Sequence, residues 1–229
     1  MKKYLVLSPH MDDAIFSCCD HILFWQQVGI KVEVVNLFTS FRARNVSLSL
    51  KRHLAVFGFD NAGRYEKVRE EEDREALAKL GLKPTNLDVI DGFFRKNGDN
   101  FIYSNRTLFS GKISSWDRGL VERIKQKLAD YKFVDKVIVP LGVGLHVDHL
   151  IAREVSENVF GKKKIMYFVD SPYYLRISNW RFNFLVKLLR MRWSIKKISF
   201  KKKQLLQLYT SQYSLLFKQV PSYYEIVLS

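Results

Sequence analysis

A chain of 229 residues with 47% hydrophobic and 14% aromatic content carries enough apolar surface for one full core, which excludes disordered and low-complexity classes. The formal net charge of +15 points to anionic partners in general, and residues 176–203 hold ten Lys or Arg with no Asp or Glu. Residues 4–7 are too short for the apolar region of a secretory leader, and no stretch reaches the roughly 20 apolar residues of a membrane span, so a cytoplasmic location is expected.

Residues 3–8 read as a first strand. Over 12–27, Ile15, Cys18, Cys19, Ile22, Leu23 and Gln26 recur at helical spacing and Gly29 closes the helix. The two cysteines are neighbours on that helix, so they are expected as two reduced, buried thiols rather than a disulfide. Residues 32–37 alternate and are β-branched, completing a strand-helix-strand unit that normally makes a parallel pair. Residues 41–63 mix Arg42, Lys51 and Arg52 with Leu48, Leu50, Val56 and Phe57 and read as an active-site insertion or lid with a short helix. A helix over 65–80 stops at Gly81, and a strand over 87–90 ends at Asp91 and Gly92. A helix over 114–130, a strand over 136–140, a helix over 147–159 and a strand over 164–169 continue the alternation. The pattern predicts a single domain over 1–229 of the α/β class, a Rossmann-like, mostly parallel sheet with helices on both faces. Ligand sites in such sheets lie beyond the C-terminal ends of the strands.

Two of those strand ends carry dense polar clusters, Ser8-Pro9-His10-Met11-Asp12-Asp13 and Gly144-Leu145-His146-Val147-Asp148-His149, with three of the five histidines between them. An imidazole, a carboxylate and a second imidazole leave one position open on a tetrahedral divalent metal, the arrangement of a hydrolytic rather than a structural site. Taken singly, each residue has a plainer use: an aspartate caps the next helix, a histidine is a satisfied polar group. Their joint placement at two strand ends favours a site.

The pairing of Pro9-His10-Met11-Asp12-Asp13 with His146-Val147-Asp148-His149 resembles the PIG-L (LmbE-like) family of zinc-dependent N-acetylglucosaminyl deacetylases, whose motifs are PHPDD or PHLDD and HxDH. Arg69, Glu72, Ala76, Leu80 and Gly81 fit the family's helix, Pro140, Gly142 and Gly144 lead into the second motif, and Asp170-Ser171-Pro172-Tyr173 and Tyr209, Ser211, Gln212 resemble its later signatures. Met11, Ala14, Cys19 and Asp20 depart from the usual residues without removing a ligand. The resemblance implies that His10, Asp13 and His149 bind Zn2+, with Fe2+ as another candidate ion, and that Asp12 is the general base. It also implies that His146 stabilises the oxyanion as a cation held in orientation by Asp148, and that Arg69 and Asp91 contact substrate. The plainer readings are an ion pair of Arg69 with Glu72 or Asp73 and a turn role for Asp91.

The implied activity is hydrolysis of the N-acetyl group of an N-acetyl-hexosamine in a sugar, nucleotide-sugar, glycoside or lipid-linked glycan. The alternatives are a metal-dependent amidase on another amide, or an inactive basic protein that binds anionic surfaces. Residues 180–198 interleave aromatic and basic side chains and read as an amphipathic helix, either packed on the sheet with a solvated basic face or in peripheral contact with an anionic membrane. No nucleic-acid recognition module is recognisable, and the sequence is silent on oligomeric state.

Overall fold

The computed structural model describes residues 1–42, 48–176, 192–216 and 224–229. Strands β1 (Lys3–Ser8), β2 (Lys31–Asn36), β3 (Thr85–Asn86), β6 (Lys136–Pro140) and β7 (Ile165–Phe168) run parallel, and β9 (Tyr224–Leu228) is antiparallel to both β7 and β8 (Trp193–Lys197). The sheet order is β3-β2-β1-β6-β7-β9-β8, and the short strands β4 (Lys96–Asn97) and β5 (Asn100–Phe101) pair separately. Alternation along β1 sends Leu5 and Leu7 to one core, with Ile124 and Leu128 of helix α5 (Arg118–Leu128) and Ile151 and Val155 of α6 (Val147–Phe160). Val6 faces a second core, with Ile15, Cys18 and Ile22 of α1 (Asp13–Gln27), Leu77 of α3 (Ala62–Ala78) and Leu205 of α7 (Phe200–Leu206). Covering both faces of the sheet accounts for the almost continuous apolar runs in β1 and β6.

A third apolar cluster sits apart from the sheet. It joins Phe41, Leu50 and Leu54, the last two on α2 (Leu48–Val56), to Tyr65, Phe93, Phe94 and to Leu108 of α4 (Asn105–Leu108). The expected insertion thus packs against the segment that follows β3.

Several boundaries differ from the sequence reading. Helix α3 starts at Ala62 because Asn61 accepts the Arg64 N–H as its cap. The strand expected over 87–90 is confined to Thr85–Asn86 and one bridge between Ser40 and Ile90, because Asp88 turns the backbone to φ 54. The helix expected over 114–130 is regular only over Arg118–Leu128, between 3-10 turns Ser115–Asp117 and Ala129–Tyr131. The helix expected over 180–198 is contradicted at Trp193–Lys197, a strand because its alternating residues complete the ladder of β9, itself not foreseen; residues 177–191 lie outside the described residues.

The basic segment is also not uniformly solvated. Lys202 is fully buried, donating from Nζ to Glu225 Oε1 (2.6 Å) and to the Phe16 carbonyl (2.7 Å). Glu225 also accepts the Asp20 and His21 N–H groups and pairs with the His21 ring, fastening β9 to α1. Cys18 and Cys19 are free and buried, as expected. Among the described residues no helix is long and apolar enough to cross a membrane. A final helix, α8 (Tyr213–Leu216), follows α7.

Candidate active site

β1 has β2 on one side and β6 on the other, so the chain reverses its order between β1 and β6 and leaves a crevice above their C-terminal ends. The loop after β1 brings His10, Asp12 and Asp13 to this crevice, and the start of α6 brings His146, Asp148 and His149. The first loop is braced locally: Ser8 Oγ donates to the His10 carbonyl and accepts the Ala14 N–H, while the His10 N–H donates to Asp13 Oδ2.

His10, Asp13 and His149 each offer a donor atom within 4.8 Å of the others. His10 Nδ1 lies 3.3 Å from Asp13 Oδ2 and His149 Nε2 lies 3.4 Å from the same oxygen. The far nitrogen of each ring faces a carboxylate: His10 Nε2 is 3.2 Å from Asp148 Oδ2, and His149 Nδ1 bonds Asp170 Oδ1. Carboxylates behind histidines set the tautomer and raise ligand basicity. His149 Nε2 is buried and makes no hydrogen bond among the described residues. Burial opposes a charge on His10, yet Asp13 and Asp148 outweigh it and raise its pKa well above the ordinary value. Burial opposes the charge of Asp13 too, but His149 and His10 bring its pKa down to about 2. These surroundings favour positive charge at the point the three donors share, and the two-imidazole, one-carboxylate set suits zinc or ferrous iron. The residues fit a divalent metal.

Asp12 precedes α1 without capping it; Arg69 Nη2 of α3 donates to its Oδ2 at 2.7 Å. Burial raises the Asp12 pKa and the Arg69 charge opposes the rise. Arg69 therefore pairs with Asp12, not with Glu72 or Asp73, and its guanidinium lies 5.6 Å from the ring centroids of Phe41 and Tyr65. Asp91 takes the turn role, accepting the Phe93 N–H as a cap, while its Oδ2 lies 3.4 Å from His10 Nε2.

The arrangement expected for His146 and Asp148 needs correction. The Asp148 carboxylate pairs with Arg95 (2.6 Å), the Gly92 N–H (2.8 Å) and His10, while the His146 ring meets the Asp148 backbone, Nδ1 accepting its N–H at 3.2 Å. Burial drives the His146 pKa well below the ordinary value, which favours a neutral ring, and with Nδ1 accepting the Asp148 N–H the proton of that neutral form sits on Nε2. Asp148, which burial alone would push up, is held well below the carboxylate range by Arg95. Gly92 approaches Asp148 closely enough that a Cβ there would lie 2.7 Å from Leu108 Cδ1 and 3.0 Å from Asp148 Oδ1, so a side chain would displace one or both.

Sequence reasoning missed Arg95, which carries no motif and is placed only by tertiary packing between Asp148 and Asp117 (3.2 Å). It quoted Asp170 without a role. Asp170 follows β7, and its Oδ2 accepts the Gly142 and Val143 N–H groups while Oδ1 holds His149, so its position after a third strand was the available signal. The Tyr209-Ser211-Gln212 signature anchors the C-terminal part to α3: Tyr209 donates to Asp73, Ser211 to Glu72, and Gln212 to Tyr65.

The sequence matches the PIG-L family, GlcNAc-PI de-N-acetylase, over residues 5–160, and the chain belongs to that family. A deacetylase of the teicoplanin biosynthesis pathway has the same fold, with TM-score 0.81 and 20% identity over 99% of this chain and 97% of that one. A 4-carboxy-2-hydroxymuconate hydratase from Pseudomonas putida (TM-score 0.57, 16% identity, 100% and 95% covered) shares it too. So does an N,N'-diacetylchitobiose deacetylase from Pyrococcus horikoshii (TM-score 0.55, 15% identity, 99% and 82% covered). No curated protein sequence matches the chain significantly.

Proposed function

We propose that this protein is a zinc-dependent deacetylase that hydrolyses the N-acetyl group of an N-acetyl-hexosamine unit, releasing acetate and a free amine. Family membership and two deacetylases among the neighbours of the same fold support the reaction class. The observation that carries the metal is His149 Nε2, buried, without a hydrogen bond, and turned towards Asp13 by the grip of Asp170 on Nδ1.

A divalent ion held by His10, Asp13 and His149 would act as a Lewis acid towards the amide carbonyl and bring the pKa of water towards roughly 7. Asp12 takes the proton released as the water oxygen bonds to the carbonyl carbon. Arg69 favours the carboxylate form needed for that step, and burial then favours the protonated form that returns the proton to the leaving nitrogen as the C–N bond breaks. His146, neutral and protonated on Nε2, donates a hydrogen bond to the oxyanion of the tetrahedral intermediate. Asp91 and Ser171 line the cavity beside these groups, and we assign them contacts with sugar hydroxyls.

The test is zinc analysis of the purified protein together with mass spectrometry of acetylated sugars, nucleotide-sugars and lipid-linked sugars after incubation. Stoichiometric zinc and loss of an acetyl group from one of these classes is the expected result; no zinc uptake on titration refutes the reading. Asp12→Asn should keep the metal and lower kcat by about 10²- to 10⁴-fold, while His149→Ala should lose both metal and turnover.

A further inference from the structure

A second cavity, of about 300 Å3, shares no lining residue with the one that holds His10, Asp12 and Asp13. The segment 90–95 serves both, sending Asp91, Phe93 and Phe94 to the first and Ile90 and Arg95 to the second. Its volume is at the lower end of the range that small-molecule sites occupy. The walls of the second cavity are apolar, formed by Val89, Ile90, Ile102 and Leu120, and the indole of Trp116 stands at the rim, 65% exposed. A large aromatic ring left in water beside an apolar hollow is a surface that a flat ligand can cover.

The charged groups of the lining are unequally committed. Arg95 is buried and spent on the Ile90 carbonyl, Asp117 and Asp148, while Lys96 lies over the Phe101 ring. Asp117 is shared by Arg95 and the Tyr103 hydroxyl, and Asp88 accepts from the Thr39 hydroxyl at 3.5 Å. Arg123 and Lys127 are different. They stand four positions apart on α5, so they share one face of that helix, and both are exposed with no acidic partner among the described residues. Side chains at this spacing start about 5–6 Å apart, close enough for a guanidinium and an ammonium to meet the oxygens of one phosphate or diphosphate. A carboxylate would occupy one of the two cations; a phosphate ester can use both.

We infer that this second cavity is a nucleotide-binding site separate from the metal donors, with the base against Trp116 and the phosphates held by Arg123 and Lys127. The apolar walls and the indole call for a flat aromatic body, the paired cations call for phosphate oxygens, and a nucleotide carries both in one small molecule.

The test is calorimetric titration of the purified protein with ADP, UDP and inorganic pyrophosphate at physiological salt, which screens the general attraction of a chain of charge +15 for anions. At least one nucleotide should bind about fivefold or more tightly than pyrophosphate, the gain expected from stacking one base on an aromatic ring. Trp116→Ala should erase that preference and leave pyrophosphate binding unchanged, which also shows that the variant is folded. Arg123→Ala combined with Lys127→Ala should weaken every ligand about tenfold or more. Phosphate oxygens on a metal ion in the first cavity are the competing explanation, so His149→Ala should bind the nucleotide as the wild type does. The site is overturned if neither nucleotide binds, if pyrophosphate binds as tightly as both, or if binding is lost in His149→Ala and kept in the double variant on α5. Because Trp116, Arg123 and Lys127 do not line the first cavity, none of these results bears on the deacetylase reading.

Discussion

The role of Asp170 can be tested by one isosteric change, Asp170→Asn. In the native site Oδ2 accepts the Gly142 N–H at 2.7 Å and the Val143 N–H at 3.1 Å, and Oδ1 faces His149 Nδ1. Two backbone donors fix which end of the new amide faces the loop: its oxygen must stay there, leaving the NH2 group towards His149. An amide NH2 is a donor only, so the ring must accept at Nδ1 and carry its proton on Nε2, the nitrogen needed for the metal. Loss of such a partner typically costs 10- to 100-fold in metal affinity, or about 1.4–2.7 kcal/mol. The fold should survive, because the loop N–H groups keep their acceptor. Zinc affinity measured by competition with a chelator, alongside a thermal melt, reads both quantities. A folded Asp170→Asn protein that binds zinc as tightly as the wild type would refute the tautomer argument.

Three other outcomes follow from buried groups. Burial pushes the Asp73 carboxyl up to about 7, against hydrogen bonds from Tyr209 and Asn36. Since the unfolded chain releases that proton near the ordinary value of 3.8, this group should lower stability as pH rises from about 4 to 7, by at most about 4 kcal/mol, and level off above. Asp73→Asn should remove that part of the slope in urea melts at pH 5 and pH 8, with Asn36 turning its unpaired Oδ1 to the new amide; an unchanged slope counts against the assignment. Lys202→Ala leaves Glu225 buried without its 2.6 Å partner and should cost about 3–5 kcal/mol in denaturant unfolding, whereas a loss under about 1 kcal/mol would mean that the pair is solvated. Gly144→Ala places a Cβ 2.5 Å from the Tyr173 ring and should destabilise by about 1–3 kcal/mol, checked by the same melts.

The parallel half of the sheet was legible because β1, β2, β6 and β7 are short apolar runs between periodic helices, and the site because histidines and aspartates cluster at the ends of β1 and β6. What escaped was long-range. Arg95 touches Asp148 across 53 positions of sequence that no local pattern connects, and Asp148 turned from the expected His146 to Arg95 because a guanidinium satisfies a buried carboxylate better than an imidazole can. The strand Trp193–Lys197 was hidden by its composition, since an edge strand held mainly by its backbone ladder to β9 can leave most of its side chains exposed. Lys202 looked like its basic neighbours because nothing in a run of three lysines marks the one that meets a carboxylate 23 residues later.

The anchoring of α1 by Glu225 has a consequence for the order in which the molecule assembles. The carboxylate that receives the Asp20 and His21 N–H groups lies 205 and 204 residues further along the chain, so this contact closes a very long loop. During synthesis the loops after β1 and β6 have left the ribosome well before residue 225, yet the helix that follows the first of them still lacks its bracing strand. Folding should therefore end with a late docking of β9 between β7 and β8, slow because of its contact order, and a nascent chain paused before that strand should show exchange-labile amides in the middle of α1.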